Sequence, residues 1–325
     1  MLSTSSIKKS PARLKSGINS IYISLIILAI FAVVAAIALP KAYQLGNLQN
    51  IIRINSPACI MAIGVTLVLL TGEIDISVGS TMSLTIMAGT MVLQYGEVTA
   101  IILALGLGTL CGFVNGIIVT KTKVPSLIVT IGTMQVYYGL SCILTNAQPT
   151  YIGQAYPLFL TLGNGDVAGM PIPFIICIAV VLGFWYITTK TRFGKNIYYT
   201  GANKRAAFMS GIDINKTKLI TFTICGLLAA ASGPLLSAQL GQADPRTGQG
   251  YELTAIAIAV LGGTALTGGK GNVLGTFLGM ITLGLLKNML ALSGMGTYVE
   301  MALNGVLIIV VVFVFAMTTQ RRAAR

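Results

Sequence analysis

Apolar runs long enough to cross a hydrocarbon layer follow one another along almost the whole chain, at about 18–39, 51–70, 77–95, 98–119, 126–146, 171–189, 218–240, 253–267, 273–293 and 299–317. A helix rises about 1.5 Å per residue, so about 20 apolar residues match the ~30 Å core of a bilayer. With 55% hydrophobic and 9% charged residues, the 325-residue chain cannot furnish a water-facing surface of the ordinary kind, for which roughly 25% charged content is typical. Lipid is the expected solvent. Inside lipid every backbone N–H and C=O must be satisfied within the protein, which restricts the spans to helices or a closed barrel. Runs of this length predict an all-α integral membrane fold, a polytopic bundle of about ten transmembrane helices. The run at 253–267 is short for a full crossing and is expected to be broken or partly re-entrant.

The basic residues set the threading. Lys8, Lys9, Arg13 and Lys15 precede the first run, which exceeds the 7–15 apolar residues of a signal peptide and so reads as a retained helix. If the chain crosses at each run, 17 of the 21 Lys and Arg residues fall on alternate connections, as the positive-inside rule demands of cytoplasmic segments. An even helix count follows, with both termini in the cytoplasm: a tail at 1–20, a membrane domain at 21–317 with a long inner loop at about 190–218, and a second tail at 318–325.

Several function classes recede on composition. The net charge of +13 lies in connections between apolar runs and not along one polar face, so it speaks for membrane orientation and against nucleic acid. The chain has no histidine, and its five cysteines stand singly inside apolar runs. Neither a metal site nor a disulfide framework is expected. A phosphate-binding loop of the form G-x-x-x-x-G-K-[ST] is also absent. The nearest approach, Gly262 to Gly271, has Thr264 where the first glycine belongs and Gly271 where the hydroxyl belongs. No cofactor is expected on this chain, and any ATP is used by another.

Glycine recurs at every fourth position in Gly108, Gly112, Gly116 and in Gly271, Gly275, Gly279. Each set lines one helix face and permits close approach of another helix, within this chain or from a second copy. In the inner loop Asn203 has the chemistry of an N-cap for a short helix ending near Gly211. Such a helix across the membrane face would group Ala206, Ala207 and Ser210 as a docking knob; the alternative is a solvated basic loop. Glu73 and Asp75 stand between two apolar runs. Acidic groups at membrane depth mark function, whereas at the interface Asp75 or Ser77 would cap the following helix. Lys287, Glu252 and Glu300 read as outer-interface residues.

Three ordered blocks then give the chain a family likeness from about Ser56 to Val312. The first is Gly72-Glu73-Ile74-Asp75-Ile76-Ser77-Val78-Gly79-Ser80. The second comprises Phe193-Gly194, Gly201-Ala202-Asn203, Ala206-Ala207 and Ser210-Gly211-Ile212. The third runs from Gly250-Tyr251-Glu252-Leu253 through Leu261-Gly262-Gly263-Thr264 and Gly268-Gly269-Lys270-Gly271 to Gly275-Thr276. Together they resemble the permease family of ribose-type carbohydrate ABC importers. Glu73 departs from that pattern, which commonly has glycine there.

The resemblance implies a bacterial inner-membrane permease that pairs with a second permease chain, identical or related, around a central path. It implies a separate ABC ATPase below and an extracytoplasmic sugar-binding protein above. It also implies that the loop of Gly201, Ala202, Asn203, Ala206, Ala207, Ser210, Gly211 and Ile212 is the coupling helix received by the ATPase. Alternating access would be driven by ATP, and this chain would do no covalent chemistry. Asp244 and Arg246, a pair of charges in the outer loop from Gly241 to Arg246, are expected to touch the binding protein. The rival reading is a secondary transporter that couples an ion through Glu73 or Asp75.

Overall fold

The computed structural model describes residues 12–294, apart from 123 and 154, together with 299, 302, 305 and 306. The described chain is helical almost throughout: α1 Ala12–Ala38, α2 Leu45–Leu70, α3 Val78–Val92, α4 Glu97–Lys121, α5 Ser126–Thr145, α6 Pro157–Asn164, α7 Ile172–Lys190, α8 Arg192–Ala202, α9 Lys204–Met209, α10 Ile214–Leu240, α11 Tyr251–Leu261 and α12 Val273–Leu292. Two short antiparallel ladders interrupt it, β1 (Thr150–Tyr151) with β4 (Gln242–Ala243), and β2 (Asp166–Val167) with β3 (Met170–Pro171).

Six of these helices, α2, α4, α5, α7, α10 and α12, are long and apolar enough to cross a membrane, with a shorter apolar stretch at Ser24–Ile37 and another in α11. The expectation of about ten crossings is thus met by six among the described residues. The apolar run at 299–317 lies largely outside them. Two expected spans are interrupted. The run at 77–95 holds an α-helix of 15 residues that passes into a 3-10 turn at Leu93–Tyr95, and the run at 253–267 holds one of 11. At 1.5 Å per residue these reach only about 22 and 16 Å. Irregular backbone adjoins each: the segment 71–77 before α3, and the segment 262–272 after α11.

The bundle is built around α2, which is buried at every position from Ser56 to Leu70. A helix apolar all round belongs inside a bundle. Against it pack α10, α11, α12 and α7. Pro57 sits within α2 and Pro234 within α10, tolerated where neighbouring helices satisfy the freed carbonyls.

Small residues set the closest packing. A Cβ added at Gly112 would strike the Phe222 carbonyl and Gly226, one at Gly108 would strike Ala230 and the Gly226 carbonyl, and one at Gly116 would strike Leu219. The first glycine series thus seats α4 on α10 of the same chain. The second seats α12 on α11, through Gly275 against Gly262 and Gly279 against the Ile258 carbonyl. Both series pack within one chain. Replacing Gly112 with leucine should destabilise the detergent-solubilised protein by roughly 1–3 kcal/mol, the usual cost of overpacking. Gly183→Leu, where an added Cβ meets open space, should leave the melting temperature unchanged in the same thermal scan.

Candidate functional site

The end of the bundle that carries α8 and α9 is a junction of three segments, and glycine makes it possible. Gly269 donates its N–H to the carbonyl of Leu70, the last residue of α2, at 2.9 Å. An added Cβ at Gly201, at the end of α8, would strike the same carbonyl. One at Gly268 (φ +84°) would lie 2.7 Å from the Gly72 Cα and 3.2 Å from the Gly201 Cα, and one at Gly269 (φ +69°) 2.6 Å from the Ala202 Cα. Both φ values are ones that side-chain-bearing residues rarely adopt. The Tyr198 hydroxyl donates to the Gly271 carbonyl at 3.0 Å. Main chain therefore touches main chain, and the end of α2, the end of α8 and the loop after α11 hold one another directly.

The loop expected to couple to an ATPase grows from this junction. Asn203 is the N-cap of α9, and its side-chain oxygen accepts the Ala206 N–H at 3.0 Å. The helix stops at Met209, with Gly211 at φ +75° beyond it. The side chains divide differently from the expected knob. Ala206 and Ser210 are exposed, and the Ser210 hydroxyl donates to the Ala206 carbonyl at 2.8 Å. Ala207 instead points into the protein and is 3% exposed. The exposed apolar groups are Phe208 and Met209, at 71% and 77%. Gly201 and Ile212 are half-buried, and Ala202 is exposed.

Charges close the loop at both of its ends. Glu73 Oε1 lies 3.1 Å from Lys204 Nζ, at the start of α9, and 2.6 Å from Lys218 Nζ, in the first turns of α10. Asp213 N-caps α10 by accepting the Lys216 N–H at 2.9 Å. Burial pushes the Glu73 carboxyl up, but Lys218, Ser126 and Lys204 outweigh this and hold it below the usual glutamate value of 4.5. Glu73 is thus a clasp between two lysines. The unpaired carboxylate of an ion-coupling site is not what stands here.

The rest of the segment 71–77 turns inward. Ser126 accepts the Ile74 N–H at 3.1 Å, and Thr130 accepts the Ile76 N–H at 3.4 Å, both from α5. Asp75 is 1% exposed. Its Oδ1 accepts the backbone N–H of Ser77 at 2.9 Å and the Ser77 hydroxyl at 2.7 Å. Ser77 takes the N-cap position of α3, yet its side chain makes no capping bond. It accepts instead from Asn115 Nδ2 of α4 at 2.7 Å, and Tyr137 of α5 donates to Asn115 Oδ1 at 3.3 Å. This chain of bonds ties α3, α4 and α5 to the extended segment, in place of a simple cap. In low dielectric such a network is costly to break. Asn115, a lone amide within the apolar run of α4, was the sequence signal for it.

Asp244 and Arg246 pair with each other, Nε to Oδ1 at 3.1 Å and Nη2 to Oδ2 at 3.1 Å. They lie past β4, far along the chain from the α9 junction. Among the described residues no group of three or more His, Cys, Asp or Glu could hold a metal ion.

Comparison with known proteins adds relatives to this geometry. A family model described as branched-chain amino acid transport system / permease component matches residues 47–312. The ribose import permease protein RbsC of Escherichia coli (strain K12) is 40% identical over 295 residues, covering 90% of this chain and 92% of that protein. The D-allose transport system permease protein AlsC of the same strain is 33% identical over 299 residues, 90% of each chain. The autoinducer 2 import system permease protein LsrD of Escherichia coli O9:H4 (strain HS) is 36% identical over 259 residues, 78% of each chain. No solved structure matches the chain.

Removing the clasp has a signed consequence with pH. Because the folded Glu73 value lies below the unfolded one, its contribution is present above pH ~4.5 and is lost as pH falls through the folded value. Glu73→Gln should therefore lower the melting temperature near neutral pH and bring it closer to wild type in acid, a convergence that thermal scans across pH measure.

Proposed function

The chain belongs to the family of branched-chain amino acid transport system permease components and is the membrane-spanning permease subunit of an ABC importer of the sugar type; we propose that it carries a small sugar, with α9 as the element on which a separate ATPase pushes. The sugar class follows from relatives named for ribose, allose and autoinducer 2 import. As the permease component it does no covalent chemistry, holds no cofactor of its own, and leaves ATP hydrolysis to the partner.

The observation that carries the coupling role is the bracketing of α9. A six-residue helix is too short to be stable alone. It stands because Asn203 caps it, Ala207 anchors it, and Glu73 holds Lys204 and Lys218 on either side. Its outward face offers Ala206, Phe208, Met209 and Ser210, an apolar surface at a polar end of the bundle and thus fit for a protein partner. A push on that face reaches α2 and the two interrupted helices through backbone contacts.

The orientation follows from charge. The α8–α9 end collects Lys121, the seven basic residues from Lys190 to Lys218, and Lys270, which assigns it to the cytoplasm. Both termini then lie in the cytoplasm, as tails at 1–20 and 318–325 around a membrane domain at 21–317. The six long helices, α1, the two interrupted spans and the run at 299–317 together give ten crossings. A second permease chain, identical or related, completes the path, and an extracytoplasmic sugar-binding protein loads it from the β1–β4 end. Alternating access follows as the ATPase pair closes and opens.

Two substitutions separate docking from folding. Ala206→Glu or Phe208→Asp should leave membrane insertion and melting temperature near wild type while uptake falls to background and the ATPase no longer copurifies. Ala207→Glu places a charge in a buried position and should lower the yield of folded protein instead. In cells carrying all three components, uptake should stop when ATP is depleted with ion gradients intact. Uptake that follows the gradients and ignores ATP would overturn the importer reading.

A further inference from the structure

The loop between α10 and α11 leaves the β1–β4 end of the bundle and then turns back into it. β4 sets Gln242 and Ala243 beside Tyr151 and Thr150, yet Gly248 donates its N–H to Ser83 Oγ at 3.0 Å. Ser83 lies nine residues before the end of α3 at Val92, about 13 Å down the helix axis. There Gly79 and Gly248 meet backbone to backbone, and a Cβ on either would strike the other's carbonyl. A second ruler agrees. Tyr138 lies seven residues before the end of α5 at Thr145, about 10 Å in. Beside its side chain stand Gln249 and, within electrostatic reach, Arg246.

The Asp244–Arg246 pair and Gln249 therefore sit within the depth of the membrane, and Arg246 and Gln249 are not covered by this chain. The Arg246 side chain is 62% exposed, and Gln249 is exposed. Gln135, about one turn from Tyr138 on α5, is exposed as well. Charged and amide groups at such depth face a bundle interior or a water-filled cavity, because hydrocarbon cannot satisfy them. Substrate sites of transporters lie where discontinuous helices meet near the midplane, and the Gly79–Gly248 contact joins α3 to the turn that leads into α11.

We infer that Gln135, Tyr138, Asp244, Arg246 and Gln249 form a polar station in the translocation path, which receives the hydroxyls of a neutral small sugar. This rests on the importer reading above and names the part of the path that takes the substrate. The chemistry suits a neutral polyol. Asp244 and Arg246 cancel each other's charge yet leave further N–H donors and oxygen lone pairs, two amides supply both functions, and the phenol ring offers an apolar face. An anion or a cation would meet a pair already neutralised. The pair that the sequence placed at the binding protein thus belongs deeper, on the sugar's route.

The test reconstitutes the permease with its ATPase and sugar-binding protein in proteoliposomes, and follows uptake of labelled ribose and allose beside ATP hydrolysis stimulated by the binding protein. Arg246→Gln and Gln249→Leu should keep that stimulation within about twofold, lower uptake of at least one sugar about tenfold and shift the ribose-to-allose ratio, because lost hydrogen bonds discriminate between hydroxyl patterns. In a Cys142→Ser background, Gln135→Cys should react with a membrane-impermeant thiol reagent, and sugar-loaded binding protein should slow the reaction. Unchanged uptake and ratio overturn the station. So does reaction only with a lipid-soluble maleimide, or loss of binding-protein docking together with stimulation, which would make the loop an outer contact. Ala206→Glu in the same vesicles keeps the two readings apart: abolished uptake with that variant upholds the importer reading even where the station fails.

Discussion

Everything at the α8–α9 end of this permease depends on the Leu70 carbonyl, which accepts the Gly269 N–H while Gly201 packs directly on it. Three segments separated by long stretches of sequence converge there, and none has a side chain in the way. Main chain packed on main chain has no rotamers to absorb a displacement, and packed interiors transmit strain because they compress so little. A movement of α8 and α9 must therefore move the end of α2 and the loop after α11 with it. Glu73 adds direction by binding both Lys204 and Lys218, so α9 cannot swing about either end alone.

The membrane explains why the remaining polar groups lie where they do. Asp75, Ser77, Asn115 and Tyr137 bond one another across α3, α4 and α5, and the extended segment before α3 draws its partners from Ser126 and Thr130. In lipid an interrupted helix survives only where protein or water supplies the missing bonds. Both interruptions meet that condition, the first through α5 and the second through the glycine junction. The first leads into the start of α3, which is buried, and the second leaves the end of α11.

Much of this was legible in the sequence. Run length disclosed the long helices, and the four-residue glycine spacing marked the faces that seat α4 on α10 and α12 on α11. Asn203 announced its cap. Run length could not disclose that α11 stops at Leu261, because the glycines that follow it stand inside hydropathy as strong as their neighbours'. Helical periodicity grouped Ala206 with Ala207 and Ser210, while tertiary packing turned Ala207 inward and left Phe208 outward. The partners of Glu73 were hidden by distance along the chain, although an acidic residue in place of glycine demanded a counter-charge, and the basic loop was the nearest source.

The claim beneath this account is that α9 and the loop after α11 move as one body. Spin labels at Ser210→Cys and Lys270→Cys, two exposed positions on either side of the junction, report it directly by pulsed dipolar spectroscopy in the assembled transporter with the remaining reactive cysteines removed. A rigid junction predicts the same distance distribution within one chain in the nucleotide-free and ATP-trapped states. A distance that changes between those states would mean that α9 slides on the junction, and the backbone contact would not be the route by which ATP reaches the path.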